Sequence, residues 1–187
     1  MKTFSGLPAS QNEHELGAFI KLLNQYRCAS YLEIGSRDGD TFHAVMSSLP
    51  KGSRGVAVDL PGGAWGRDSK ANLTAAVEDL RANGYRVGLI FGDSTSQQVI
   101  DRVALVQYDA ILIDGDHRYE GVKADYDNYG HMAAKMVAFH DISGHGVKQK
   151  KSGLPVEVPR FWNEIKQENS VEIIDRNSKM GIGVLLR

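Results

Sequence analysis

The chain has 187 residues, 42% hydrophobic and 24% charged, a globular composition long enough to bury a core without disulfides or a structural metal. Its 22 Lys and Arg stand against 23 Asp and Glu, and a net charge of −1 excludes a general attraction to nucleic acid or to an anionic membrane. The single cysteine, Cys28, excludes an internal disulfide framework and an all-cysteine zinc site. No apolar run approaches the roughly 20 residues of a membrane-spanning helix, and the polar stretch Met1–Leu16 lacks a signal-peptide core, so the chain reads as cytoplasmic.

Strand-like and helix-like segments alternate from one end to the other, with no repeat and no linker. We read residues 1–187 as one domain, an N-terminal helical segment over 1–27 followed by a core over 28–187. An opening helix is expected over 12–26, with Leu16, Phe19, Ile20 and Leu23 facing inward. Short β-rich runs follow at Ser30–Gly35, Gly55–Leu60, Tyr85–Asp93, Tyr108–Asp114 and Met136–Asp141. They are nearly continuous apolar runs, which suits strands covered on both faces of a parallel sheet. Between them the period becomes helical: Phe42, Val45, Met46 and Leu49, then Leu73, Ala76, Val77 and Leu80, with Ser69 as N-cap and Gly84 past the end. Val122, Tyr126 and Tyr129 mark another amphipathic stretch, and Val158, Phe161, Trp162 and Ile165 a further one.

This alternation implies right-handed βαβ crossovers and a doubly wound sheet. The end of the chain breaks the pattern. Val171–Arg176 and Gly181–Arg187 are separated by only Asn177, Ser178, Lys179 and Met180, too few for a crossover helix, so an antiparallel hairpin is expected there.

Ligands of open parallel sheets bind beyond the carboxyl ends of the strands. Here those ends are polar: Glu33 to Gly39, Asp59, Gly92-Asp93-Ser94, Asp114 to His117, and His140-Asp141. Gly35 and Gly39 bracket the first turn, letting backbone approach a ligand. Asp59 stands 20 residues after Gly39, the separation at which an acid accepts hydrogen bonds from ribose hydroxyls. Turn, strand and acid together suggest an adenosine-type cofactor, with Asp93 and Ser94 either at the adenine edge or capping the next helix. Asp116 either N-caps the helix starting near Arg118 or replaces Asp114 at the cleft, depending on strand register. Two loops remain: 61–67, where Trp65 either covers a ligand or lies on a mobile loop, and 143–153, whose lysines either belong to a lid or are solvated.

The run Glu33-Ile34-Gly35-Ser36-Arg37-Asp38-Gly39 resembles motif I of class I S-adenosylmethionine-dependent methyltransferases, in the form found in catechol-type O-methyltransferases. The stretch Ile113 to Val122 with Phe139-His140-Asp141, the Val158 to Trp162 run and the final Gly181 to Leu185 resemble a narrower group. That group comprises small metal-dependent sugar O-methyltransferases and proteins labelled cephalosporin hydroxylase. The resemblance implies a Rossmann-like, seven-stranded, mostly parallel sheet ending in an antiparallel strand. It implies S-adenosylmethionine held by Glu33, Gly35, Ser36, Gly39, Asp59, Asp93, Ser94 and Asp114. It further implies a divalent ion, magnesium or manganese, at Asp114, His140 and Asp141, and catalysis by His117 as general base with Asp114. His140 stands where several relatives carry a carboxylate or amide, and histidine shifts the preference toward softer ions. The expected partner is a small hydroxylated acceptor. With little chain before the first strand to cover it, either the acceptor is large and partly exposed or a second subunit completes the pocket as a homo-oligomer.

Overall fold

Strands that are apolar on both faces need helices on both faces, and the chain supplies them. A computed structural model describes residues 11–62, 69–144, 147–148 and 153–187. Its strands are β1 (Ser30–Ile34), β2 (Arg54–Asp59), β3 (Arg86–Phe91), β4 (Tyr108–Ile113), β5 (Ala133–His140), β6 (Val171–Ile173) and β7 (Ile182–Leu186). They form one seven-stranded sheet in the order β3-β2-β1-β4-β5-β7-β6. The first five are parallel, and β7 runs antiparallel to β5 on one side and to β6 on the other.

Helices α1 (Glu13–Gln25), α2 (Asp40–Ser48) and α3 (Lys70–Ala82) bury Leu16, Phe19, Phe42, Met46, Leu73 and Leu80 against one sheet face. Helices α4 (Gln97–Val103), α5 (Tyr119–Tyr129) and α6 (Val158–Ile165) bury Val99, Val103, Val122, Tyr129, Phe161 and Trp162 against the other. Alternate residues of β1 divide between the two: Tyr31 with the first set, Leu32 and Ile34 with the second.

Three expectations change in detail. The C-terminal hairpin forms, but β6 stops at Ile173 and β7 begins at Ile182, leaving residues 174–181 outside the ladder. The cause is Glu15 on α1. Its buried carboxylate accepts from the backbone N–H of Asp175 and of Gly181, at 2.9 and 3.1 Å, and draws the connection away from strand pairing. Ser69 does occupy the N-cap position of α3, yet its hydroxyl makes no capping bond. Helix α4 has no counterpart in the periodicity, since only Val99 and Val103 of its seven residues are buried. The loop bearing Trp65 lies almost wholly outside the described residues, as do His145, Gly146, Lys150 and Lys151.

Candidate functional site

A cleft of about 340 Å³ opens over the carboxyl ends of β1, β2, β3 and β4. Gly35, Asp59, Asp93, Ser94 and Asp114 line it; Glu33, Ser36 and Gly39 do not. A larger depression of about 440 Å³ lies at the opposite edge, beside Ser30, Arg54 and Arg86 at the strand starts. That edge holds no carboxylate or histidine in its lining, so the chemistry belongs to the first cleft.

The first turn explains both of its glycines, though by packing rather than ligand contact. Gly35 has φ +88°, and a Cβ there would stand 2.2 Å from the carbonyl oxygen of Asp114. The crossing of β1 and β4 thus tolerates only hydrogen at this point. Gly39, at φ +84°, would drive a Cβ to 2.9 Å from Leu73 Cδ1 on α3. Between them Arg37 adopts φ +46°, which aims its N–H at Asp59 Oδ1, 2.9 Å away.

Asp59 ends β2 and is 8% exposed. Its other oxygen accepts from the Ser69 hydroxyl at 2.8 Å, the bond that diverts Ser69 from capping α3. Burial raises the Asp59 carboxyl, while Ser69 and the Arg37 amide oppose the shift. This one side chain ties the glycine turn to the start of α3 and still faces the cleft. Asp93 Oδ1 accepts from the N–H and hydroxyl of Thr95, at 2.8 and 2.7 Å, so it shapes the loop before α4 as well as lining the cleft.

Glu33 turns the other way. It shares its strand face with Tyr31, whose hydroxyl donates to Glu33 Oε2 at 2.6 Å in the core. Burial pushes its carboxyl up to about 8, with Asp114 and Asp59 adding negative charge.

Beyond Asp114 the ends of β4 and β5 bring together Asp114, His117, His140 and Asp141. His117 Nε2 stands 3.2 Å from Asp114 Oδ1 and its Nδ1 2.8 Å from Asp141 Oδ2. His140 Nδ1 reaches Asp114 Oδ1 at 3.0 Å. The remaining Asp114 oxygen accepts from Gln11 Nε2 at 2.7 Å, a contact that no local pattern predicts. Asp141 itself has φ +63°, a left-handed conformation that non-glycine residues keep where surroundings enforce it. Asp116 also lines the cleft but stands outside this cluster, paired with exposed Arg118, while Asp114 belongs to both. The N-cap position of α5 falls to Arg118.

The proton on His117 is set by its neighbours. Burial opposes a charged His117, but hydrogen bonds and charge from Asp114 and Asp141 outweigh it and push the imidazole up to about 10. His140 is raised for the same reason. Against burial, the two imidazoles hold the Asp114 carboxyl well below the usual carboxylate range. His117 is thereby held as an imidazolium between Asp114 and Asp141, with His140 beside it.

That arrangement does not fit a divalent ion. No set of three acidic, histidine or cysteine side chains among the described residues is disposed to hold a metal. The Asp114 oxygens already accept from imidazoles and Gln11, and of the groups around this cluster Gln11 Oε1 and His140 Nε2 are buried without a partner.

A family model described as a methyltransferase domain matches residues 32–142, from β1 to just past the His140-Asp141 pair. The chain belongs to this family. Solved methyltransferases share the fold at low sequence identity. An O-methyltransferase from Bacillus cereus in complex with SAH is 16% identical, with 98% of this chain and 86% of that one covered at a TM-score of 0.70. The O-methyltransferase TomG from Streptomyces achromogenes, involved in tomaymycin synthesis and bound to SAM, is 12% identical, with 95% and 82% covered at 0.67. A methyltransferase from Geobacter sulfurreducens is 15% identical, with 95% and 79% covered at 0.63. No curated protein matches the chain at a significant level. In this methyltransferase the doubly wound sheet with its antiparallel β7 is the family architecture, and no described helix is long and apolar enough to cross a membrane.

Proposed function

We propose that this methyltransferase transfers the methyl group of S-adenosylmethionine to an oxygen of a small hydroxylated molecule. The observation that carries the reading is the continuity of the strand-end cleft with the Asp114–His117–His140–Asp141 cluster, Asp114 belonging to both. The cofactor lies along the cleft, its ribose hydroxyls donating to lone pairs that Asp59 has left, its adenine toward Asp93 and Ser94. The acceptor enters at the cluster, outside Asp114.

Methyl transfer is an in-line displacement at the sulfonium carbon, and the acceptor oxygen is most reactive when it carries negative charge. The acceptor hydroxyl gives its proton to solvent water, its oxygen bonds the methyl carbon as the C–S bond breaks to leave S-adenosylhomocysteine, and the positive charge of His117 favours the oxyanion electrostatically. It is not a base at neutral pH while both carboxylates hold its protons, which departs from the role the resemblance implies. A magnesium or manganese ion at Asp114, His140 and Asp141 is not required by this reading, because the positive charge of His117 already stands where a cation would act. The lone buried thiol of Cys28 is in keeping with a cytoplasmic setting.

The test is calorimetric titration of S-adenosylhomocysteine into the protein with manganese and with chelator, followed by turnover on a series of diols and phenols. Micromolar binding and chelator-insensitive methylation support the proposal. Absence of binding in both buffers overturns it. Methylation that appears only with manganese overturns the metal-free cluster while leaving the methyl transfer intact.

A further inference from the structure

Among the described residues, helix α5 carries an acid without a well-formed hydrogen bond. Asp125 is 1% exposed, and neither of its carboxyl oxygens makes a hydrogen bond of good geometry. Leaving a polar group buried and unpaired costs about 1–3 kcal/mol, so such a group calls for a partner from outside the chain. The helix period places it. Asp125 follows Val122 by three positions and precedes Tyr129 by four, and both of those are buried, so it falls on the inward stripe of α5.

Two contacts fix what the carboxyl faces. The Tyr129 hydroxyl donates to the backbone carbonyl of Ser94 and pins α5 against the loop after β3. On the other side Gly115, in the loop after β4, leaves the room that Asp125 needs: a Cβ there would come to 3.0 Å from Asp125 Oδ2. The carboxyl thus stands in the gap between the Asp93-Ser94 and Gly115-Asp116 loops, as part of the cleft lining.

We propose that Asp125 reads the Watson–Crick edge of the cofactor's adenine as a neutral acid, donating its O–H to ring N1 and accepting from the 6-amino group. The inference rests on the reading that this cleft holds S-adenosylmethionine. Adenine sets an acceptor beside a donor on that edge, and a protonated carboxyl offers the complementary pair at the same spacing. An ionised carboxylate keeps only the acceptor half.

The surroundings favour the protonated form. Burial pushes the Asp125 carboxyl up to about 7, the Ser94 hydroxyl opposes this, and the negative charges of Asp116 and Asp93 add to it. Tyr129, on the same helix, is itself raised and stays neutral. The nearby guanidinium of Arg118 is held by Asp116.

The experiment is titration of S-adenosylhomocysteine at pH 6, 7 and 8 into the wild-type protein, Asp125→Asn and Asp125→Ala, each first shown to be folded by thermal melting. A midpoint of about 7 leaves the acid about nine-tenths protonated at pH 6 and one-tenth at pH 8, so wild-type affinity falls about tenfold across that range. The amide of Asp125→Asn has one donor and one acceptor in the same places. It retains the pH 6 affinity within about threefold and loses the pH dependence. Asp125→Ala binds about tenfold more weakly at pH 6 and is also flat. A flat wild-type profile, a slope that survives in Asp125→Asn, or an Asn variant as weak as the Ala variant overturns the inference while the cofactor reading stands. No binding by any of the three proteins at any pH overturns the cofactor reading and this inference with it.

Discussion

The β1–β2 end of the cleft and the β4–β5 end place acids at the same edge of one sheet and treat them oppositely. Glu33 and Asp59 are buried among hydroxyls and amides, and both carboxyls are raised, Glu33 to about 8. Asp114 is less deeply set, its side chain 17% exposed, and imidazoles beside it hold its carboxyl far below the usual range. Burial disfavours charge at both ends; what differs is whether a cation stands within hydrogen-bond reach. The strand-end position therefore fixes where an acid is, and the neighbouring side chain fixes its proton.

The pH consequences share a sign but fall in different windows. Glu33 has a folded value above its unfolded one, near 4.5, so stability falls as pH rises from about 4.5 to about 8 and levels off beyond. His117 is raised from 6.5 to about 10 by favourable partners, so its contribution is complete below 6.5 and is lost as pH climbs through about 10.

Breaking the charged end has the largest expected effect. His117→Ala leaves Asp114 and Asp141 facing each other with one fewer cation, a loss of about 3–5 kcal/mol, and the melting temperature at pH 7 falls by about 10 °C. A fall under about 2 °C would show that the cluster is not ion-paired. At the neutral end, Asp59→Ala removes the proposed ribose acceptor together with the brace between turn and α3, and weakens S-adenosylhomocysteine by about 30–100-fold in calorimetry. Glu33→Gln sharpens the contrast, since it relieves a buried acid. It stabilises the protein by about 2 kcal/mol at pH 8 and leaves it unchanged at pH 4.5, read as melting temperature against pH. Smallest is Arg118→Ala, which removes an exposed pair with Asp116 and changes stability by no more than about 0.5 kcal/mol.

Much of this was legible in the chain because two periodicities carry it. Continuous apolar runs identify the parallel strands, and the short interval before Gly181 identifies a hairpin, although Glu15 reaching across from α1 lengthens the connection in a way no local pattern records. The strand-end acids locate the cleft, since chain order alone places those positions at one edge. Side-chain direction was harder. Glu33 looks like a cofactor ligand in the motif, while alternation with Tyr31 two residues earlier already assigns it to the core face. Asp125 sits in the inward stripe with Val122 and Tyr129, and an acid at such a position is itself a signal. The Gln11 contact to Asp114 spans 103 positions and leaves no trace in local sequence.

The placement of β7 bears on how the protein is made. β6 pairs with no strand except β7, and β7 also closes the edge of β5 some 45 residues upstream. While the ribosome is still translating toward Ile182, β6 has no ladder to join and the far side of β5 stays open. The long-range contacts that complete the sheet must wait for the last strand to emerge. Until then the nascent chain exposes a bare strand edge to its neighbours.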